Sequence, residues 1–181
     1  MHYTVAAAVD TPQAWGDLQA GLPEMLEKLR ASDAYSRVSR PPHTQRGVYL
    51  FSEHGRDLYV GRTGITARRR RAGTPPSTSF RARFDQHTQA GRPPGTAPFA
   101  MRLAREAAEE RRIDVPINWW KNRDENPDLL SLFLSAKERI AETMEMRVVA
   151  FDDDVLGIRS TIAEIYVHAM LLTPYNDFSP S

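Results

Sequence analysis

GVYLFSEHGRDLYVG, residues 47–61, contains the pattern that decides the fold. Residues 47–51 and 58–61 are rich in aromatic, branched and aliphatic side chains, which favour β-strands. The polar residues between them include Gly55, which favours a turn. Two β-type segments joined by a short glycine-bearing turn predict an antiparallel hairpin, on which Tyr49 and Tyr59 can share one face.

Outside the hairpin, apolar residues recur mainly with helical spacing. This predicts helical segments at 11–30, 80–88, 99–112, 129–145 and 161–172, and a valine-rich strand at 146–151. Pro23 leaves open whether the first segment is one helix or two broken ones. The order predicts an α+β fold with a small antiparallel or mixed β-sheet flanked by helices. An N-terminal helical arm and linker are expected at 1–45, and the main domain at 46–181.

Composition restricts the possible chemistry. The chain has 181 residues, 41% of them hydrophobic and 26% charged, as in ordinary globular proteins. It has no cysteine, which excludes disulfides, thiol catalysis and thiolate zinc sites. No apolar segment reaches membrane-spanning length, and the N-terminus has no basic region followed by a long apolar core. We therefore expect a cytoplasmic protein without a membrane partner.

The net charge of +1 is unevenly distributed along the chain. Residues 37–92 contain twelve arginines, no lysine and three acidic residues, so this segment carries +9 and the remainder −8. Such a basic segment favours a surface for a polyanion such as nucleic acid. The alternative is a solvated surface in an arginine-biased protein, since the whole chain has only three lysines.

A set of motifs follows the hairpin in a fixed order. The set consists of GVY at 47–49, YVG at 59–61 nine residues later, Arg83 and His87 four residues apart, Glu164, and TPYN at 173–176. It resembles the GIY-YIG nuclease superfamily, and the Arg-x-x-x-His spacing is closest to the restriction-endonuclease branch of that superfamily. The resemblance extends from residue 47 to residue 176, so 46–181 is expected to be a GIY-YIG-like nuclease domain.

The resemblance implies a metal-dependent DNA endonuclease with one Mg²⁺ or Mn²⁺ ion in each active site. It implies a catalytic set of Tyr49, Tyr59, Arg83, His87, Glu164 and Asn176. Within that set, Glu164 is the implied metal ligand. Asn176 is the residue implied to order the hairpin and the site through hydrogen bonds.

The chemistry of these side chains suits phosphodiester cleavage, which needs a water, a base and stabilisation of charge on the phosphate. One tyrosine can meet the water while the other holds a phosphate oxygen. A tyrosine ionises only near pH ~10, so a base role needs help from a metal ion or from His87. The planar fork of Arg83 fits two phosphate oxygens. A single carboxylate, Glu164, with phosphate oxygens and waters suits magnesium.

Further arginines are expected to bind DNA phosphates without reading sequence. They are Arg62, Arg68, Arg69, Arg70, Arg71 and Arg81. Arg62 stands where many family members carry lysine, and its guanidinium cannot supply a deprotonable amine. For residues 68–71 the alternative is a basic loop that does not contact DNA, and Arg81 competes with Arg83 for the catalytic role.

Each candidate also has a purely structural interpretation. The tyrosines can serve packing, and His87 can be a helix-end residue. Thr161 and Glu164 fit the spacing of a helix capping box. Asp85 can form a surface pair with Arg81 or Arg83.

Three other side chains have features that bear on function. Trp119 and Trp120 are expected either in the core or on a partner surface. His168 lies one turn beyond Glu164, and we do not expect it to bind the metal ion.

The functional hypothesis that follows from the motif set is a standalone restriction or defence enzyme acting on double-stranded DNA.

Cutting both strands of a symmetric site with one active site per chain needs a homodimer or sequential nicking. Alternatives are a non-catalytic nucleic-acid-binding module that retains the fold and a structure-specific DNA-repair nuclease. A third alternative is a protein-interaction domain whose arginines are surface charge.

Overall fold

The computed structural model describes residues 11–43, 46–63, 79–151 and 158–176. Within these residues the helices are α1 (Thr11–Ala31), α2 (Phe80–Thr88), α3 (Pro98–Glu110), α4 (Pro127–Thr143) and α5 (Ile158–Leu171). The strands are β1 (Gly47–Glu53), β2 (Arg56–Thr63) and β3 (Met144–Ala150), and short 3-10 turns occur at Pro94–Thr96, Trp119–Lys121 and Arg123–Glu125. The predicted α+β class with a small sheet flanked by helices is confirmed.

The three strands form one antiparallel sheet in the order β2-β1-β3. Tyr49 lies opposite Gly61, and a register shift follows Phe51. The turn between β1 and β2 is made by His54 and Gly55, which both have positive φ angles, 51° and 79°. Two successive left-handed residues match the right-handed twist of a tight hairpin, so the predicted hairpin is present with β2 at the sheet edge.

The two faces of the sheet differ in chemistry. Tyr49, Phe51 and Tyr59 belong to a core shared with α2, α3 and α4, and we call this side the aromatic face. Val48, Leu50 and Val60 belong to a second core shared with α1 and α5, which we call the aliphatic face. Period-2 alternation along the strands produces this separation.

Helix α1 is one continuous helix with Pro23 inside it. Its buried residues are Leu22, Met25, Leu26 and Leu29, and they pack on the aliphatic face. This i, i+3, i+4, i+7 spacing is typical of a helix that covers a core. The segment expected to be an arm is therefore packed on the sheet, and the chain after it pairs with β3 through Tyr35 and Met146.

The start of α5 differs from the sequence expectation. The helix begins at Ile158, so Thr161 lies inside its first turns and not at its N-cap. The capping-box interpretation of Thr161 and Glu164 is therefore wrong, because a capping residue must precede the helix. None of the helices in the described ranges has the length and hydropathy needed to cross a membrane.

Candidate active site

The phenol of Tyr49 lies across the backbone of the edge strand. Tyr49 is only 2% exposed. A Cβ atom at Gly61 would lie 2.8 Å from Cε2 of Tyr49 and closer still to its Cζ and hydroxyl oxygen. Only glycine leaves room for the ring, so Gly61 allows the Tyr49 hydroxyl to reach the edge of the sheet.

Gly47, the first glycine of the motif, also allows a close approach between segments. Gly47 has a φ of +146°, and a Cβ there would overlap the carbonyl oxygen of Val149 and approach Phe80 to 2.8 Å. The absence of a side chain thus lets β1, β3 and the start of α2 meet closely. This contact fixes α2 against the strands that carry the phenols.

Helix α2 places its functional residues by a simple local pattern. The hydroxyl of Ser79 caps the helix by accepting a hydrogen bond of 3.1 Å from the Ala82 amide. Phe80, Phe84 and His87 then face inward and are buried. Because these positions are four and three residues apart, they share one helical face.

His87 is fully buried among aromatic rings. Its ring centroid lies 5.4–6.2 Å from those of Tyr49, Phe51, Tyr59 and Phe99. Its Nε2 lies 3.4 Å from the Tyr49 hydroxyl oxygen. Burial, and then the charges of Arg83 and Lys137, lower the pKa of His87 to about 3, so the imidazole is neutral around pH ~7.

Two buried nitrogen atoms next to this cluster have unused hydrogen-bonding capacity. Arg83 donates from its NH1 to Gln86 at 3.0 Å. Its Nε and the Nδ1 of His87 are buried and have no hydrogen-bond partner within the described part of the chain. Buried polar groups are normally paired, so both atoms are available to a ligand.

Glu164 approaches from α5, on the other side of the sheet. Its side chain is 14% exposed, and Arg62 Nε donates to its Oε2 at 2.8 Å. Arg62 also donates to the Thr161 hydroxyl. Burial raises the pKa of Glu164 to about 7, although the charges of Arg62 and Arg83 oppose the rise.

The phenols, the guanidinium and the carboxylate are electrostatically coupled. Burial raises the pKa of Tyr49 to about 12, with Arg83 lowering it and Glu164 raising it further. Burial likewise raises the pKa of Tyr59 well above its usual value, and Glu164 and Arg83 act on it too. Burial outweighs the attraction of Arg83, so both phenols are protonated near pH ~7 in the protein without a bound ligand.

Asn176 completes the edge of the sheet. Its amide accepts from the Val60 N–H at 2.8 Å and donates to the Val60 carbonyl at 2.7 Å. Thr173 is buried, donates to Asn176 and lies 2.8 Å from Nδ1 of His168. The side chain thus takes the place of a neighbouring strand along β2, which pairs exposed backbone groups and orders the edge.

Of the remaining arginines predicted to bind DNA, the structure describes Arg81, and its hydrogen-bond partners lie outside this cluster. Arg81 donates to the carbonyl of Pro41 at 2.7 Å and to that of Arg40 at 3.4 Å, so it holds the segment before β1. Asp85 pairs with Arg40 and not with Arg81 or Arg83. Residues 68–71 lie outside the described residues.

The donor set fits a weakly held divalent ion. Within the described ranges, no three acidic, histidine or cysteine side chains cluster as a metal site. Glu164 would be the protein ligand, with phosphate oxygens and waters as the others, which suits Mg²⁺. A cation would also compensate the buried carboxylate charge that desolvation disfavours.

Sequence reasoning missed two supporting residues. Lys137 is buried on the apolar face of α4, where its Nζ donates to the carbonyls of Gln89 and Arg92 at 2.7 and 2.9 Å and so holds the loop after α2. The sequence motif at 173–176 contains Thr173 but does not indicate that it supports Asn176. Lys137 could have been found from its place among the core positions of the α4 pattern. The role of Thr173 depends on the tertiary fold.

Comparison with protein-family models, curated proteins and solved structures finds no match for this chain. The resemblance to GIY-YIG nucleases therefore rests on the sequence motifs alone.

Proposed function

We propose that this protein is a DNA endonuclease that hydrolyses phosphodiester bonds with the aid of one divalent metal ion. The observation that carries the proposal is geometric: the Tyr49 hydroxyl, which passes over Gly61 at the edge of β2, lies 3.4 Å from Nε2 of the buried His87. One turn earlier on the same helix, the buried Nε of Arg83 has no partner in the described part of the chain. The charges of Arg83 and Glu164 also act on both phenols. An ordinary packing role would not require a carboxylate and a guanidinium beside two buried phenols.

The guanidinium of Arg83 binds the scissile phosphate. Its buried Nε has no partner in the described part of the chain, and an oxygen of the phosphate would satisfy it. Hydrogen bonds to a charged partner are shorter and stronger than neutral ones. The positive charge also stabilises the negative charge that builds up on the phosphate during attack.

Tyr49 orients the attacking water and removes its proton, with His87 taking the phenol proton. Tyr49 is assigned this role because its hydroxyl lies 3.4 Å from His87 Nε2. To accept the phenol proton His87 needs a pKa higher than the value of about 3 that burial gives it, and the negative charge of a bound phosphate raises this pKa. The Tyr59 hydroxyl then holds a phosphate oxygen.

Glu164 holds the metal ion, which would stabilise charge on the phosphate and on the leaving oxygen when bound. In the isolated protein Glu164 is paired with Arg62. Substrate binding therefore requires Arg62 to turn from the carboxylate to a phosphate. Its guanidinium suits both partners.

The experiment is a supercoiled-plasmid cleavage assay with Mg²⁺ and with Mn²⁺, comparing wild type with Glu164→Gln. The substitution keeps the shape of the side chain and removes its charge. We expect Glu164→Gln to lower the cleavage rate by about 10³-fold, the effect of removing a main electrostatic stabiliser. Glu27→Gln, on the exposed side of α1, is the matched control and should cleave like wild type.

Thermal unfolding of all three proteins shows whether the fold is intact. Equal inertness of wild type and Glu164→Gln with every metal ion would end the catalytic proposal. Undiminished cleavage by Glu164→Gln would remove the residue from its assigned role.

A second candidate function is a non-catalytic DNA-binding module. The ion pair between Arg62 and Glu164 favours it, because the pair neutralises the carboxylate that would hold the metal ion. DNA binding that weakens with salt, without any cleavage, would support this alternative.

Where cleavage occurs, sequenced product ends separate the proposed restriction or defence role from repair. Recurrent sequence-specific cuts indicate the former, and structure-specific cuts the latter.

A further inference from the structure

A groove of about 730 Å³ lies between α3 and the segment around residues 115–120. Its lining combines aromatic, apolar and basic side chains: Trp120, Tyr175, Ile117, Met101, Arg102 and Arg105. Ile117 is 92% exposed at this groove. Together with Met101 and Trp120, Ile117 gives the groove an apolar lining, and apolar patches rimmed by charged residues mark interaction sites.

The two neighbouring tryptophans have different positions. Trp119 is buried and lies edge-on to Phe133, with ring centroids 6.3 Å apart. Trp120 is only partly buried and lines the groove, with its indole nitrogen 3.7 Å from where a Cβ of Gly95 would be. Asn118, just before them, has a left-handed backbone with φ of 61°. Trp119 thus anchors the segment and Trp120 is held in the groove.

Packed aromatic rings link the groove to the candidate active site. The Tyr175 ring lies 5.4 Å from that of Phe99, and Phe99 stacks on Tyr59 at 4.9 Å with nearly parallel planes. The positive charge of Arg102, a groove residue, acts on the Tyr59 phenol. The groove thus lies close enough to Tyr59 for a neighbouring nucleotide of a strand bound there to reach it.

The charges of the groove suit a base better than a phosphate. Arg102 and Arg105 are balanced by Glu106 and Glu109 on the same helix. Tyr175 donates to Glu106 at 2.5 Å, and Arg105 lies 3.7 Å from Glu109. With no net charge, this lining has little attraction for a backbone phosphate, whereas an indole face stacks on any nucleobase.

From these observations we infer that the groove binds one unstacked base of the DNA substrate, stacked on Trp120 and flanked by Arg102. The inference deepens the proposed function, since it names the part of the substrate that lies beside the catalytic phenols. It implies that DNA bound by this protein is single-stranded, or has a base turned out of the duplex, at that point.

The test uses the full chain in EDTA, so that binding is measured without cleavage. The probe is a dye-labelled oligothymidine of about 15 nucleotides, a length that spans a typical single-strand site. Fluorescence anisotropy gives the affinity, and quenching of tryptophan emission reports stacking. The variants are Trp120→Ala, Trp120→Phe and, as matched control, Trp15→Ala on α1, where the indole is 50% exposed.

We expect Trp120→Ala to bind about tenfold more weakly, as losing one stacked base predicts. Trp120→Phe should recover most of the affinity because it keeps an aromatic face, and Trp15→Ala should match wild type. The dependence of affinity on salt should be the same for all of them, because no phosphate contact is removed. Circular dichroism checks that each variant is folded.

Binding by Trp120→Ala within about twofold of wild type would overturn the inference. If Trp120→Ala binds like wild type and the wild-type protein cleaves plasmid, the endonuclease proposal stands and the groove proposal falls. If Trp120 governs oligothymidine binding and no metal ion supports cleavage, the groove proposal stands and the endonuclease proposal falls. Failure of wild type to bind DNA at low salt overturns both.

Discussion

The aliphatic and aromatic faces belong to the same three-stranded sheet, yet they bury opposite kinds of side chain. On the aliphatic face Val48, Leu50 and Val60 have no exposed surface and meet apolar residues of α1 and α5. On the aromatic face two phenols and an imidazole are buried among rings. Burying polar groups is unfavourable without full hydrogen bonding, so the second face retains groups that a core does not need.

The difference shows how the molecule divides its tasks. The aliphatic face supplies stability through ordinary packing. The aromatic face carries most of the proposed catalytic groups, and Glu164 lies on α5 at the edge of β2. The candidate site therefore lies where the two faces meet, and substitutions on the two faces should have separable effects.

The largest expected effect is on activity, from Tyr49→Phe. It removes one hydroxyl whose contact to His87 is long, at 3.4 Å, so the free energy of unfolding should change by less than about 1 kcal/mol. The cleavage rate should fall by about 10³-fold, because a proton-transfer group is lost. Plasmid cleavage and urea unfolding measure the two quantities.

Tyr35→Phe is the matched control for Tyr49→Phe, since Tyr35 lies beside β3 and should have no catalytic role. Full activity of Tyr49→Phe would mean that the phenol serves packing only.

The mirror-image substitution is Leu50→Ala on the aliphatic face. Leu50 is fully buried, and removing its side chain leaves a cavity that should lower the free energy of unfolding by about 3 kcal/mol. Activity of the folded protein, measured well below the unfolding temperature, should stay within about threefold of wild type, since no site group is moved by much. A loss of activity as large as that of Tyr49→Phe would show that the faces are not separable.

A slightly smaller effect on activity is expected from Gly61→Ala, because the aromatic face needs a residue without a side chain at this position. Gly61→Ala forces the Tyr49 ring to move, and a displacement of about 1 Å near reacting groups can lower a rate by about 10²-fold. Gly21→Ala in α1 meets open space and should raise stability by up to about 1 kcal/mol without affecting cleavage. The cleavage rates of the two alanine variants are the measurement.

Wild-type activity in Gly61→Ala would contradict the need for close approach.

Much of the fold followed from local patterns. The hairpin, α2 and the class of the fold were predicted because strand alternation, helical spacing and turn glycines are short-range signals. The motif residues of the site were named because their order resembles a known family. Their roles stay predictions.

What the sequence did not predict depends on contacts between distant segments. Nothing local indicates that Arg81 binds the carbonyls before β1, that Asp85 pairs with Arg40, or that Arg62 pairs with Glu164. The capping-box spacing at Thr161 was misleading because α5 begins earlier, at Ile158. The sequence also did not predict burial: the adjacent Trp119 and Trp120 differ in exposure only because Trp119 packs in the core.

The smallest expected effect concerns pH and isolates the buried imidazole. The pKa of His87 is lowered from 6.5 to about 3 in the folded protein. Between these values the unfolded chain binds a proton that the folded protein does not, so stability is complete above pH ~6.5 and is lost as pH falls toward ~3. From pH ~7 to ~5 the imidazole should lower the free energy of unfolding by about 2 kcal/mol.

Comparing wild type with His87→Phe by urea unfolding at both pH values isolates this contribution. Glu164 acts with the opposite sign, because its raised pKa makes the folded protein bind the extra proton, but both proteins contain it and its effect cancels in the difference. The variant should therefore lose about 2 kcal/mol less than wild type on acidification, whatever its stability at pH ~7. Equal losses would mean that water reaches the imidazole, and the aromatic face would then not be as dry as its buried rings indicate.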